Sequence, residues 1–107
     1  MAINFFRSVA LDLTTSTETL YTTPAGFTGI VLMAQVTNIS GSASTTRFGV
    51  LRESQETNLA FDFEIPAQDS AGLLTGKLVL ESGEALFGSA SGNSQLQIVL
   101  SILESQN

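Results

Sequence analysis

From Leu59 to Ile65 every second residue is apolar, with Leu59, Phe61, Phe63 and Ile65 set between Ala60, Asp62 and Glu64. An alternation with period two puts one class of side chain on each face of an extended strand and is incompatible with a helix, whose faces repeat every 3.6 residues. The same pattern recurs at Val9, Leu11 and Leu13, and again at Leu96, Ile98, Leu100 and Ile102. Between such runs lie Gly, Pro, Ser and Asn, which favour turns. Short strands at this spacing predict an all-β domain, a single antiparallel β-sandwich or jelly roll of about eight strands over residues 1–107. Residues 68–74 are the one stretch that suggests a turn of helix.

Two further runs shape the expected topology. Lys77–Leu80 and Ala85–Ala90 flank Glu81-Ser82-Gly83-Glu84 and predict a hairpin with a glycine-containing turn. Residues 53–58 read as an exposed polar connection. Phe27–Asn38 breaks the alternation: Ile30, Leu32, Ala34 and Val36 predict one apolar face, and Val31 and Met33 a second. A strand apolar on both faces is covered on both, so Val31 and Met33 are expected to meet another subunit, as are Val99 and Leu103 on the last strand. Phe5 and Phe6 are adjacent and point to opposite sides of an extended segment. Two readings follow: one ring lies in the core and the other at the edge, or, with Arg7, they form an N-terminal arm, residues 1–8, that docks on a neighbour.

Composition closes most routes to chemistry. The 107 residues contain no cysteine, histidine or tryptophan, which removes the usual zinc ligands, the usual neutral-pH general base and the thiol nucleophile. Asp62 and Glu64 share a strand face about 6–7 Å apart, a spacing that calcium binding or paired catalytic carboxylates would use. No calcium-loop pattern accompanies them, and a solvated outer face is the expected reading. Glu53 with Glu56, and Glu81 with Glu84, read as solubilising charge on turns. Lys77, the one lysine, reads as an edge charge that discourages strand addition. No catalytic residue, cofactor or metal is expected, and the chain is not expected to be an enzyme.

A net charge of −6, with four basic residues against ten acidic ones, argues against direct nucleic-acid binding, which needs clustered Lys and Arg. The opening Met-Ala-Ile-Asn-Phe-Phe-Arg lacks the pattern of a secretory signal, and no window holds the roughly 20 apolar residues of a membrane span.

The order of several motifs then suggests a role. Leu20-Tyr21-Thr22-Thr23-Pro24-Ala25-Gly26 runs into the apolar strand ending at Thr37-Asn38. Ile65-Pro66-Ala67 follows, then Gly76-Lys77-Leu78-Val79-Leu80-Glu81-Ser82-Gly83-Glu84-Ala85-Leu86 and a last strand from Leu96 to Glu104. This progression resembles a group of small tailed-phage virion proteins, common in marine and cyanobacterial phages. The resemblance implies a non-enzymatic structural subunit of the virion with a β-sandwich fold, present in many copies. Its expected role is capsid decoration (cement), with a neck, tail or baseplate component as the alternative and a carbohydrate-binding host-recognition module behind both. The expected partners are the chain itself, as a homo-oligomer taken to be a trimer, and the major capsid protein or other virion subunits.

Overall fold

The computed structural model describes residues 3–107, and among them all regular structure is β-strand. In chain order the strands are β1 (Asn4–Asp12), β2 (Glu18–Thr22), β3 (Phe27–Asn38), β4 (Ser44–Arg52), β5 (Gln55–Ile65), β6 (Ser70–Gly72), β7 (Leu78–Leu80), β8 (Ala85–Ala90) and β9 (Leu96–Gln106). They form two antiparallel sheets. Sheet A runs β1-β9-β3-β6, with β7 also paired to β3; sheet B runs β2-β8-β4-β5. Because β6 and β7 lie end to end on β3, the nine strands fill eight positions. The chain crosses between sheets at most connections, the jelly-roll arrangement of two Greek keys expected from the sequence.

The core lies between the sheets. Strand β9 shows how the sequence builds it: Leu96, Ile98, Leu100 and Ile102 are fully buried while Gln97 and Val99 are exposed. Phe48, Leu86, Leu80, Ile65, Val36 and Leu13 complete the same cluster. Most of the buried polar side chains are satisfied internally, Thr23 Oγ1 being the one without a partner among the described residues. Buried Asn38 donates through Nδ2 to the carbonyls of Ser42 and Ile65, each at 2.9 Å, and Thr46 Oγ1 donates to the Ser89 carbonyl at 2.8 Å. Gly49 admits no side chain, because a Cβ there would run into the carbonyl of Thr57, the Cα of Asn58 and the ring of Phe87. Strand β5 crosses β4 at a distance that only glycine permits.

Four local expectations are corrected. Residues 53–58 are no loose connection: Glu53 and Ser54, with φ of 51° and 65°, form a two-residue turn between β4 and β5. Positive φ at both central positions gives the twist that adjoining antiparallel strands require, here without the usual Asn or Gly. Residues 68–74 form a turn and the short strand β6, with no helix. Residues 78–80 and 85–90 do not pair with each other: β7 joins β3 in sheet A and β8 joins β2 and β4 in sheet B. Strand β8 is buried at all six positions and so needs a neighbour on each side. The Glu81–Glu84 turn therefore carries the chain from one sheet to the other. It is pinned by Glu84 N to Glu81 O at 2.9 Å and Gly83 N to Thr23 O at 3.0 Å.

The fourth correction is the N-terminal arm. From Asn4 onward the segment is strand β1, in register with β9 from Asn4↔Ser105 to Asp12↔Gln97. Met1 and Ala2 lie outside the described residues. Nine consecutive residue pairs anchor β1, leaving residues 4–8 on a sheet edge with their backbone tied down on one side.

Candidate assembly surface

Register places the outward side chains of sheet A in rows across its strands. One row pairs Phe6 on β1 with Leu103 on β9, Leu103 with Ile30 on β3, and Ile30 with Val79 on β7. The next sets Ser8, Ser101 and Met33 side by side, and the one beyond it Ala10, Val99, Gln35 and Gly72. Phe6 is 77% exposed, Val79 56%, Val99 38% and Met33 37%; Leu103 and Ile30 are half-buried by their neighbours. Leu32, at the bulge in β3, adds another exposed apolar side chain. None of these rows contains a charged residue. Two charges border them: Lys77, just before β7, lines a depression with Leu32 and Met33, and Asp12, at the far end of β1, accepts a hydrogen bond from Gln97 Nε2 at 3.1 Å.

Of the seven residues singled out from sequence, Phe6, Met33, Val99 and Leu103 come together on this face. The other three do not. Val31 is fully buried, because a register shift between Val31 and Met33 puts an extra residue into β3. A bulge of one residue exchanges the faces of everything on one side of it, so Val31, Ala34 and Val36 point into the core. Phe5 and Arg7 sit on the inner side of β1, at the end of the sandwich. There the buried Glu104 carboxylate accepts from Arg7 Nε at 3.0 Å and from the Tyr21 hydroxyl at 2.5 Å. Phe5 packs against Phe27 with ring centroids 5.9 Å apart, and the Arg7 guanidinium lies 5.2 Å from the Phe5 ring centre. Burial, and then the bond to Glu104, push the Tyr21 hydroxyl well above its ordinary pKa. This cluster closes one end of the core and is occupied within the chain.

Sequence reading missed Ile30 and Val79 as members of the outer face. Ile30 was assigned inward with Leu32, and the bulge reversed that. Val79 carries a signal, since Leu78-Val79-Leu80 is apolar on both faces of its strand.

Sheet B presents a different exterior. Arg47 Nε and Nη2 donate to the two carboxylate oxygens of Asp62 at 2.7 and 3.2 Å, and the guanidinium stacks 4.3 Å from the centre of the Phe61 ring. The pairing with Arg47 holds the Asp62 carboxyl below its usual range. At the turn between sheets, the Glu84 carboxylate accepts from the Glu81 backbone N–H at 2.8 Å and pairs with Arg52. That backbone bond, with help from Arg52, lowers the pKa of Glu84. Asp62 adopts φ 51° at a bulge in β5, which turns Phe61 to the same side as Arg47. The cleanest alternation in the sequence is thus broken in the fold: of Leu59, Phe61, Phe63 and Ile65, only Ile65 is buried. Leu59 and Phe63 line shallow depressions with Leu73, on the flank between β5 and the β6–β7 segment. Among the described residues no group of three or more acidic side chains is arranged to hold a metal ion.

No family model and no curated protein matches the sequence. The fold, however, is similar to solved structures. A chain of the acid-stable capsid of Helicobacter pylori bacteriophage KHP30 aligns over 98% of this chain and 91% of its own length, with 12% identity and a TM-score of 0.57. A chain from Bacillus endospore appendages, which form disulfide-linked pili, aligns over 99% and 89%, with 7% identity and a TM-score of 0.55. At such identities the likeness is one of fold.

Proposed function

We propose that this chain is a structural subunit of a virion, and within the particle a capsid decoration protein that contacts the major capsid protein. The observation that carries the reading is a small jelly roll whose one exterior is charged and paired while the other is apolar, with no carboxylate in its central rows. Monomeric proteins seldom expose apolar patches beyond about 300–600 Å², and a surface so divided belongs to a subunit with partners. The KHP30 alignment supports the capsid reading, since it covers nearly the whole of both chains and the matched phage chain is only slightly longer than this one. The run of motifs from Leu20 to Glu104 supports it independently.

A cement protein acts by burying area across joints in the shell, and several weak contacts made together yield high avidity. The acidic groups on sheet B and on the turns would complement basic patches of a shell exterior and speed encounter with it. Non-enzymatic action is consistent with the site chemistry. The chain has no histidine or cysteine, and Asp62, Glu84 and Glu104 are each engaged by an arginine of the same chain.

The likeness to the endospore appendage chain gives a second reading, a fibre subunit. A chain without cysteine cannot supply the disulfide links named for those pili, so the capsid reading is the stronger. Cryo-electron microscopy of particles containing this chain tests both. Density repeated over the capsid lattice is the expected result. Density confined to neck or tail would replace decoration by a ring component, and absence from particles would overturn the virion assignment.

A further inference from the structure

We propose that the outward face of sheet A is covered by the same face of a second copy of this chain, in a two-fold dimer. Charge identifies the occupant. In a two-fold contact the same patch is used by both copies, so any net charge on the patch meets its own kind. This chain carries −6 overall, yet the rows from Phe6 to Val79 hold no carboxylate, and the charge beside them is the single cation Lys77 next to Met33. It is therefore a surface on which two copies can meet without opposing carboxylates. A basic shell would instead be drawn to the acidic exterior of sheet B and the turns, and repelled by Lys77, which leaves the apolar face for self-association. Packing these apolar rows against an ionic partner would also desolvate that partner's charges without pairing them.

Size agrees. Three strands of about nine residues, with a fourth position filled by the two three-residue strands β6 and β7, give a flat area of roughly 520 Å² per copy at about 4.8 Å spacing and about 3.3 Å per residue. The relief of Phe6 and Val79 adds to this. Stable complexes bury about 600–1,000 Å² per partner, so the face, with that relief, reaches the lower end of what one side of a dimer needs. A trimer would need two different complementary patches on each copy, whereas this face is one continuous patch.

The rows also set the symmetry. With the two-fold axis along the strands, between β9 and β3, the edges of the sheet exchange places. Phe6, the most exposed apolar side chain, then lies over Val79 of the partner subunit, and Leu103 lies over the partner's Ile30. Facing sheets in this way would stack about 10 Å apart, as the two sheets of a sandwich do.

The contact is separable from the virion reading, because it is tested on the purified chain alone. Sedimentation equilibrium at about 50 μM is expected to give twice the chain mass, a dissociation constant in the micromolar range or tighter. Phe6→Lys and Val79→Glu, each with an unchanged circular dichroism spectrum, are expected to weaken the dimer at least about 100-fold, because each buries an unpaired charge. Mixing the two variants is expected to restore a dimer, since lysine at 6 then faces glutamate at 79. A wild-type chain that is monomeric at this concentration overturns the proposal. So does a dimer that both variants leave intact. Failure of the mixed variants to associate overturns the Phe6–Val79 pairing and the axis with it. If the wild type is monomeric and Phe6→Lys instead removes the chain from particles, the face belongs to the shell.

Discussion

The two exteriors of the sandwich differ in how they treat exposed apolar side chains. On sheet B, Phe61 is 60% exposed, yet Arg47 stacks on its ring and is held there by Asp62. On sheet A, Phe6 is 77% exposed with no cation over it, and its neighbours across the sheet are Leu103, Ile30 and Val79. Long charged side chains can cover apolar surface while keeping their ends in water. The chain uses that device on one face and omits it on the other. The difference shows that exposure alone is a poor marker of an interface, and that exposure without a local polar cover is a better one.

The comparison breaks most visibly on strand β9, where inner and outer residues adjoin. Leu100 is fully buried and Val99 is 38% exposed. Leu100→Ala is expected to cost about 3 kcal/mol of folding stability, through lost burial and the cavity left behind. Val99→Ser is expected to change the folding of the isolated chain by no more than about 0.5 kcal/mol, while weakening association. Urea unfolding should be followed at concentrations well below the dimer constant, because partner binding adds stability by mass action. Equal costs for the two substitutions would mean that Val99 packs within its own fold, and that sheet A has no free exterior.

A second test sharpens the division between Phe6 and its neighbours Phe5 and Arg7, which turn inward toward Glu104. Tyr21 shares that carboxylate, and burial raises its pKa above the ordinary 10.0. In the folded chain the phenol keeps its proton, whereas the unfolded chain releases it near pH 10. The folded state thus binds more protons above that pH, and stability is expected to fall as pH rises past about 10, while below it the contribution of this group is fully present and independent of pH. Tyr21→Phe is expected to flatten the alkaline limb and to cost about 1 kcal/mol at neutral pH, by removing a hydrogen bond to a carboxylate. An unchanged alkaline slope in the variant, followed by thermal unfolding, would separate Tyr21 from Glu104 and reopen the inward assignment of this end.

Much of this division was legible in the sequence, and the failures share a cause. Strand β9 keeps its alternation through ten residues, from Leu96 to Ser105, so counting in twos places Leu96, Ile98, Leu100 and Ile102 inward and Val99 outward, as the fold has them. In β3 the extra residue at Leu32 reverses the faces, and Val31 could not be distinguished from Met33 by counting in twos. In β5 the bulge at Asp62 does the same to Phe61. Bulges depend on which backbone groups a neighbouring strand leaves unpaired, a tertiary matter with no local signature when neither glycine nor asparagine marks the site. The turn at Glu53-Ser54 escaped notice for that reason. The exchange of β7 and β8 between sheets was hidden differently: a short turn between two strands reads as a hairpin until the neighbours of both strands are known. The Gly83 turn has the same local sequence either way.

The smallest expected effect lies on sheet B. Arg47→Ala removes the cation over Phe61 and leaves Asp62 unpaired at the surface. Exposed pairs of this kind contribute little to folding because water screens them, so the midpoint of thermal unfolding is expected to move by no more than about 2 °C. Uncovering Phe61 gives sheet B one bare aromatic ring, still flanked by Asp62, Glu64 and Glu56. Self-association through this face would bring those acids together, and the dimer constant is expected to remain at its wild-type value. Sedimentation equilibrium of Arg47→Ala beside Phe6→Lys makes the distinction direct. Loss of the dimer in the arginine variant would place the contact on sheet B, and the apolar face of sheet A would then be the surface left for the shell.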